Sequence, residues 1–167
     1  MENKRHVGRP QAPKDYGIPP NLDGTLPWAF VDENMSTAKN YWVSTIHPDG
    51  RPHTRPTWGV WLDDHLFLDG SPETRRFRNI ASNPNISVNL ESGSRVVIME
   101  GTAKAYGRPT RMMAERLARA YSTKYSSFDY QPGPETWDEG GLYIFTPARV
   151  FAWTKFPDDM TKWVIDP

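Results

Sequence analysis

No cysteine occurs in the 167-residue sequence, which excludes disulfide frameworks, thiolate metal sites and thiol nucleophiles together. Net charge is missing too. Lys plus Arg and Asp plus Glu each number 20, so no overall field draws in nucleic acid or an anionic membrane, and any anion site has to be local. Long apolar runs are absent, both in the opening MENKRHVGRPQAPKDYGIPP and along the rest of the chain. Neither a signal peptide nor a bilayer-spanning segment is expected, and a cytoplasmic protein with no membrane or nucleic-acid partner is the simplest reading. What the sequence does have is rings. Aromatics make up 13%, with seven Trp, so rings share the packing with aliphatic side chains and offer flat surfaces for stacking. At this length one domain is expected, and any active site shares the elements of its core.

Residues 1–26 are rich in Pro and charge and poor in branched apolar residues, which predicts an extended N-terminal arm, either a disordered tail or a strap around a partner subunit. The folded domain is expected over 27–167. Trp28, Phe30, Val31 and Met35 have the spacing of a short amphipathic helix, with Pro27 in its first turn. Two apolar-rich runs at 41–47 and 52–62 flank Pro48, Asp49, Gly50 and Arg51, a strong hairpin signal. Asp63-Asp64 turns the chain into a strand at 65–69, and further strands are expected at 86–91, 95–106 and 141–153. Met113, Leu117, Ala120 and Tyr121 predict a helix over 109–121 with one apolar stripe. Six strands, two or three short helices and no strand–helix alternation point to a mainly β fold, a closed antiparallel barrel.

The segment DGSPETRRFRNIASNP at 69–84 is the most informative. Ser71 is a good N-cap, Pro72 suits the first helical position and Asn83-Pro84 ends the helix. Phe77, Ile80 and Ala81 form its expected buried stripe. Arginines near a helix N-terminus oppose the partial positive charge of the free N–H groups there, so something negative is expected to compensate them. Thr74, Arg75 and Arg76 with the backbone donors would suit a phosphate; the alternative is a solvated helix face whose arginines pair with carboxylates. In the strand at 52–62, Pro56 lacks a donor and Gly59 lacks a side chain, so an interruption or a close approach is expected near its middle. A flat ring lying there, or an edge position plus a barrel bend, explains both equally well. His6, His47, His53 and His65 have no partner at zinc-ligand spacing, so no metal site is expected.

From Tyr41 to Ala103 the sequence resembles the pyridoxamine 5′-phosphate oxidase-like split-barrel proteins, in their flavin/deazaflavin oxidoreductase branch. The resemblance rests on the DGRPH hairpin, the PTWGVW strand, the Thr-Arg-Arg-Phe-Arg-Asn-Ile helix start, the Asn-Pro stop and the Glu-Gly-Thr-Ala strand end. It implies a six-stranded antiparallel split β-barrel and a homodimer holding FMN or coenzyme F420 between subunits. The family's phosphate motif falls on Thr74, Arg75 and Arg76, with Arg76 in place of a lysine, a planar fork for a point charge. The strand behind the isoalloxazine ring falls on Arg55, Pro56, Thr57, Trp58, Val60 and Trp61, with contacts mainly through backbone groups. Hydride transfer to a small conjugated organic substrate is the implied activity, with the chemistry carried by the cofactor and no dedicated proton donor assigned. Pyridoxamine phosphate oxidation itself is not expected, because ARVFAWTKFPDDMTKWVIDP lacks that enzyme's C-terminal substrate motif. A non-catalytic carrier or sensor of flavin, deazaflavin or haem is the alternative.

Overall fold

A computed structural model describes residues 4–166. Its strands, β1 (Arg5–Gly8), β2 (Tyr41–Ile46), β3 (Pro52–Thr57), β4 (Val60–Leu62), β5 (His65–Asp69), β6 (Asn85–Asn89), β7 (Val96–Ala105), β8 (Leu142–Trp153) and β9 (Thr161–Ile165), are all antiparallel to their neighbours. Three helices join them: α1 (Trp28–Thr37), α2 (Arg75–Ser82) and α3 (Arg111–Lys124). The turns follow their sequence signals. Gly50 takes φ 86° in the β2–β3 hairpin. Asp63 and Asp64, at φ 51° and 61°, make the tight turn between β4 and β5 that a twisted two-residue hairpin requires.

The pairing order is β1-β9-β8-β7-β6-β2-β3, with β5 branching from β8 and carrying β4. The branch point is β8. Its residues 142–145 pair with β5 and 149–152 pair with β9, while β7 runs along its other side and shifts register between Glu100 and Gly101. Gly101 is required there: a Cβ would stand 2.1 Å from the Thr146 carbonyl oxygen and 2.8 Å from the Pro147 Cα. Among the described residues no pairing joins β3 to β4, so the barrel is split, as the family resemblance implies, and not closed as the strand pattern alone suggests.

Six strands are expected and nine are present among the described residues. The run 52–62 breaks in two at Trp58-Gly59, because the Phe67 carbonyl passes where a Cβ on Gly59 would sit, 2.9 Å away. The Tyr125 hydroxyl then bonds the Gly59 N–H and carbonyl, both at 2.9 Å. The other two additional strands come from the ends of the chain. Residues 5–8 pair with β9, so this part of the arm lies on its own chain's sheet. Arg9 fixes the next part, its guanidinium donating to the carbonyls of Asn21, Asp23, Asp158 and Met160.

One apolar core fills the barrel beneath α1 and α2, with Phe30, Val31, Met35, Phe77 and Ile80 facing Val43, Met99, Phe145 and Val150. Trp163 belongs to it, edge-on to Trp28 at 5.6 Å. A second core lies under α3, where Leu117, Ala118, Tyr121 and Tyr125 meet Val60, Phe67 and Trp137. α3 runs to Lys124 rather than Tyr121, and Thr110 is its cap, accepting from the Met113 N–H at 3.3 Å. Its buried stripe includes Ala114 and Ala118, with Met113 and Ala120 only half-buried.

Candidate functional site

Helix α2 begins later than the sequence suggests. Ser71 forms the turn before it, its hydroxyl accepting from the Glu73 N–H at 3.2 Å and its carbonyl from the Thr74 N–H at 3.0 Å. Thr74 is therefore the N-cap, exposed, with no side-chain cap hydrogen bond. Amides of the helix's first turn have no partner within the helix. Beside them Arg75 is exposed and, among the described residues, makes no hydrogen bond or ion pair. The alternative of pairing with a carboxylate is thus not realised at Arg75 among the described residues.

Arg76 turns the other way. Its guanidinium lies 4.5 Å from the centre of the Phe77 ring, and Phe77 stacks face to face on Tyr143 of β8 at 3.5 Å. Gly70, at φ 144°, leaves room for this: a Cβ there would meet Phe77 Cε2 at 3.3 Å and Arg76 Nη2 at 3.5 Å. Nη2 reaches the Asp69 carbonyl at 3.5 Å, while Nε is buried without a partner. Burial lowers the Arg76 pKa and the Asp69 carboxylate opposes that shift. Burial likewise raises the Asp69 pKa, against the Tyr130 hydroxyl that donates to it and the nearby Arg76 charge. A cavity of about 350 Å³ opens beside this cluster, lined by Asp69, Ser71, Tyr130, Trp137 and Gly141 among others.

Ala81 is exposed, and Asn79 takes its place in the buried face of α2. The reason is polar: Asn79 Nδ2 donates to Thr45 Oγ1 at 3.0 Å, and that hydroxyl sits 3.3 Å from His53 Nδ1. Asn79 Oδ1 is buried and unpartnered. Burial, then the charges of Arg55, His47 and Arg76, holds the His53 pKa below its ordinary value. Arg55 and Pro56 are exposed on β3, the Arg55 guanidinium donating to the Thr54 carbonyl at 2.8 Å. Thr57 is half-buried, its hydroxyl 3.3 Å from the Trp58 carbonyl oxygen. Trp58 stacks on Tyr125 at 4.5 Å and 15°, with Phe128 at 5.0 Å and Tyr130 at 5.7 Å.

The structure thus links the α2 start to the β2–β3 ribbon through Asn79, Thr45 and His53, and to the aromatic wall at Trp58 through Asp69 and Tyr130. Val60 and Trp61 fall elsewhere. Both are buried, Trp61 donates from Nε1 to Asp32 Oδ1 at 2.8 Å, and both line a separate groove between α1 and α3. Sequence reasoning missed Thr45, Asp69, Asn79, Tyr125 and Tyr130. Of these Asn79 carried a signal, as a polar residue between two members of an apolar stripe. Among the described residues no group of three or more His, Asp or Glu is placed to hold a metal ion, and no helix is long and apolar enough to cross a membrane.

A family profile described as pyridoxamine 5′-phosphate oxidase matches residues 30–154. Among curated proteins none matches the chain. Solved structures do. A conserved hypothetical protein from Mycobacterium tuberculosis superposes with a TM-score of 0.65 at 20% identity, over 80% of this chain and 88% of that one. The haem storage protein HutZ from Vibrio cholerae gives 0.58 at 17%, over 73% and 91%. An F420 reductase gives 0.50 at 16%, over 71% and 94%. At these identities the likeness is one of fold.

Proposed function

Because the chain belongs to the pyridoxamine 5′-phosphate oxidase family across residues 30–154, we propose that it is an oxidoreductase that binds FMN or coenzyme F420. The bound ring would supply hydride transfer to a small conjugated organic substrate. The observation that carries this reading is the start of α2, where among the described residues Arg75 is unpaired, the buried Arg76 Nε has no partner, and the Thr74 hydroxyl is free beside first-turn amides. That donor set suits a phosphate, which accepts several charge-assisted hydrogen bonds at once. Arg76, steadied by the Phe77 ring and the Asp69 carbonyl, orients one fork, and Arg75 supplies another from the solvent side. The backbone of Pro56, Thr57 and Trp58 offers the ring a surface, and the aromatic wall of Trp58, Tyr125 and the exposed Phe128 would flank it. A second copy of the chain would complete the groove. The outer side of β3, with Arg55 and Pro56 exposed, supports this arrangement.

The test is titration of the purified protein with FMN and with F420, followed by fluorescence quenching. Micromolar binding of one of them is expected. Replacing Arg75 and Arg76 together by Ala should weaken it by about 2–5 kcal/mol, as for lost charge-assisted contacts. No affinity for either cofactor, or an affinity indifferent to both arginines, defeats the proposal. A second reading, a carrier of flavin, deazaflavin or haem without turnover, draws support from the likeness to the haem storage protein. Rapid mixing of reduced holoprotein with quinones and enones separates the two: the carrier oxidises no faster than free cofactor.

A further inference from the structure

A groove of about 670 Å³ runs between α1 and α3 with β4 as its floor, within the roughly 300–1,000 Å³ that small-molecule sites occupy. From α3 it is lined by Arg116, Arg119, Ala120, Thr123 and Lys124. These positions recur at the three- and four-residue spacing of a single helix face. From α1 and the residues just after it come Ser36, Thr37 and Lys39, and from β4 come Val60, Trp61 and Leu62. Lys39, Arg116 and Arg119 line the groove as cations, Lys124 adds an amine whose pKa burial brings down to about 7, and no carboxylate is among the lining residues.

The nearby acids are all engaged, Asp63 with one of the groove's own cations and the others with groups that are not among those cations. Asp63 is held by Arg116 through two hydrogen bonds at 2.9 and 3.0 Å, Asp32 accepts from Trp61, Glu33 pairs with Arg95 and Glu115 with Arg111. Among the described residues, Lys39, Arg119 and Lys124 have no carboxylate within ion-pair distance. Arg119 makes no hydrogen bond either. Lys124 donates to the Tyr41 hydroxyl at 2.5 Å and the Gly59 carbonyl at 3.1 Å, and Lys39 donates to the Lys124 carbonyl. Like charges one helical turn apart repel, and a face of this kind gains stability from an anion lying along it.

We propose that this groove binds a small organic anion, its carboxylate, sulfonate or phosphate held by Lys39, Arg119 and Lys124 and its apolar body resting on Val60, Leu62 and Ala120. The site is separate from the arginine cluster of α2 and does not depend on the cofactor reading. Hydroxyls of Ser36 and Thr123 complete its donor set, the Thr37 hydroxyl already donating to the Glu33 carbonyl at 2.8 Å. The half-buried Lys124, drawn back onto Gly59 and Tyr41, sets its inner end.

The test uses 8-anilinonaphthalene-1-sulfonate on the apoprotein, with the uncharged N-phenyl-1-naphthylamine as its match. The sulfonate should bind saturably to one site, and the uncharged analogue at least about tenfold more weakly, the equivalent of about 1.4 kcal/mol. Lys39→Gln with Arg119→Gln, both at exposed positions, should weaken the sulfonate by about tenfold, and Lys39→Arg with Arg119→Lys should restore it. Replacing Arg75 and Arg76 by Ala should leave it unchanged. Equal binding of the two dyes, indifference to the glutamine pair, or loss of binding in the Arg75/Arg76 variant would each overturn the proposal.

Discussion

Lys124 shows what a buried amine without a carboxylate does to the protein's response to pH. Burial, reinforced by the charge of Lys39, brings its pKa down from 10.5 to about 7. Tyr41 and Tyr125, which pack beside it, are pushed above their ordinary value by the same burial. Below pH 7 the amine is protonated in both the folded and unfolded chain, and the folded form bears the full penalty of a buried charge. Between about pH 7 and 10.5 the unfolded chain binds the extra proton, so stability rises with pH. Above pH 10 the buried tyrosines resist ionisation while unfolded ones ionise, and stability falls again. Thermal unfolding from pH 6.5 to 9.5 should show the rise, and Lys124→Met should flatten it; an equal slope in the variant would refute the assignment. None of this was legible in the sequence, where Lys124 is one charge after an apolar stripe. Thr74, Arg75 and Arg76 were legible because arginine contradicts the local helix field. Asp69, Thr45 and Tyr130 were not, since each acquires its partner across 34 to 61 residues of chain or a neighbouring strand.

At the scale of elements, local signals located the helices and strands well and their boundaries less well. Ser71 and Thr74 are both capable caps, and sequence alone favoured the first. The structure uses Ser71 for the preceding turn and leaves Thr74 to begin α2. The break between β3 and β4 was foreshadowed by Gly59, but β1 and β9 were hidden because neither pattern declares a strand until β9 pairs with β8 and β1 with β9. Gly101 is the strictest element-level requirement. Its Cα, within β7, lies directly against the Thr146–Pro147 backbone of β8, where no flexible side chain can yield. Gly101→Ala should cost about 1–3 kcal/mol, as overpacking does. In denaturant this appears as a lower midpoint with an unchanged slope; an unaltered midpoint would mean that β7 and β8 part freely at the bulge.

For the whole molecule, what matters is that the pairing ladder has ends. Where the His47 N–H bonds the Arg51 carbonyl at 2.9 Å, the alternation along the hairpin turns the main-chain groups of positions 52, 54 and 56 away from β2. Two of those three are proline and have no donor, and the Thr54 carbonyl is already taken by the Arg55 guanidinium. A foreign strand approaching this margin finds almost nothing to zip onto, so neighbours can meet it only through side chains. Pro56→Thr should restore a donor and speed the appearance of thioflavin-positive aggregates on warming, with no change in rate counting against the idea. Two imino acids thus act as a selvage on the fabric of the sheet: they stop it from unravelling into fibres while leaving its outer face open to a specific companion.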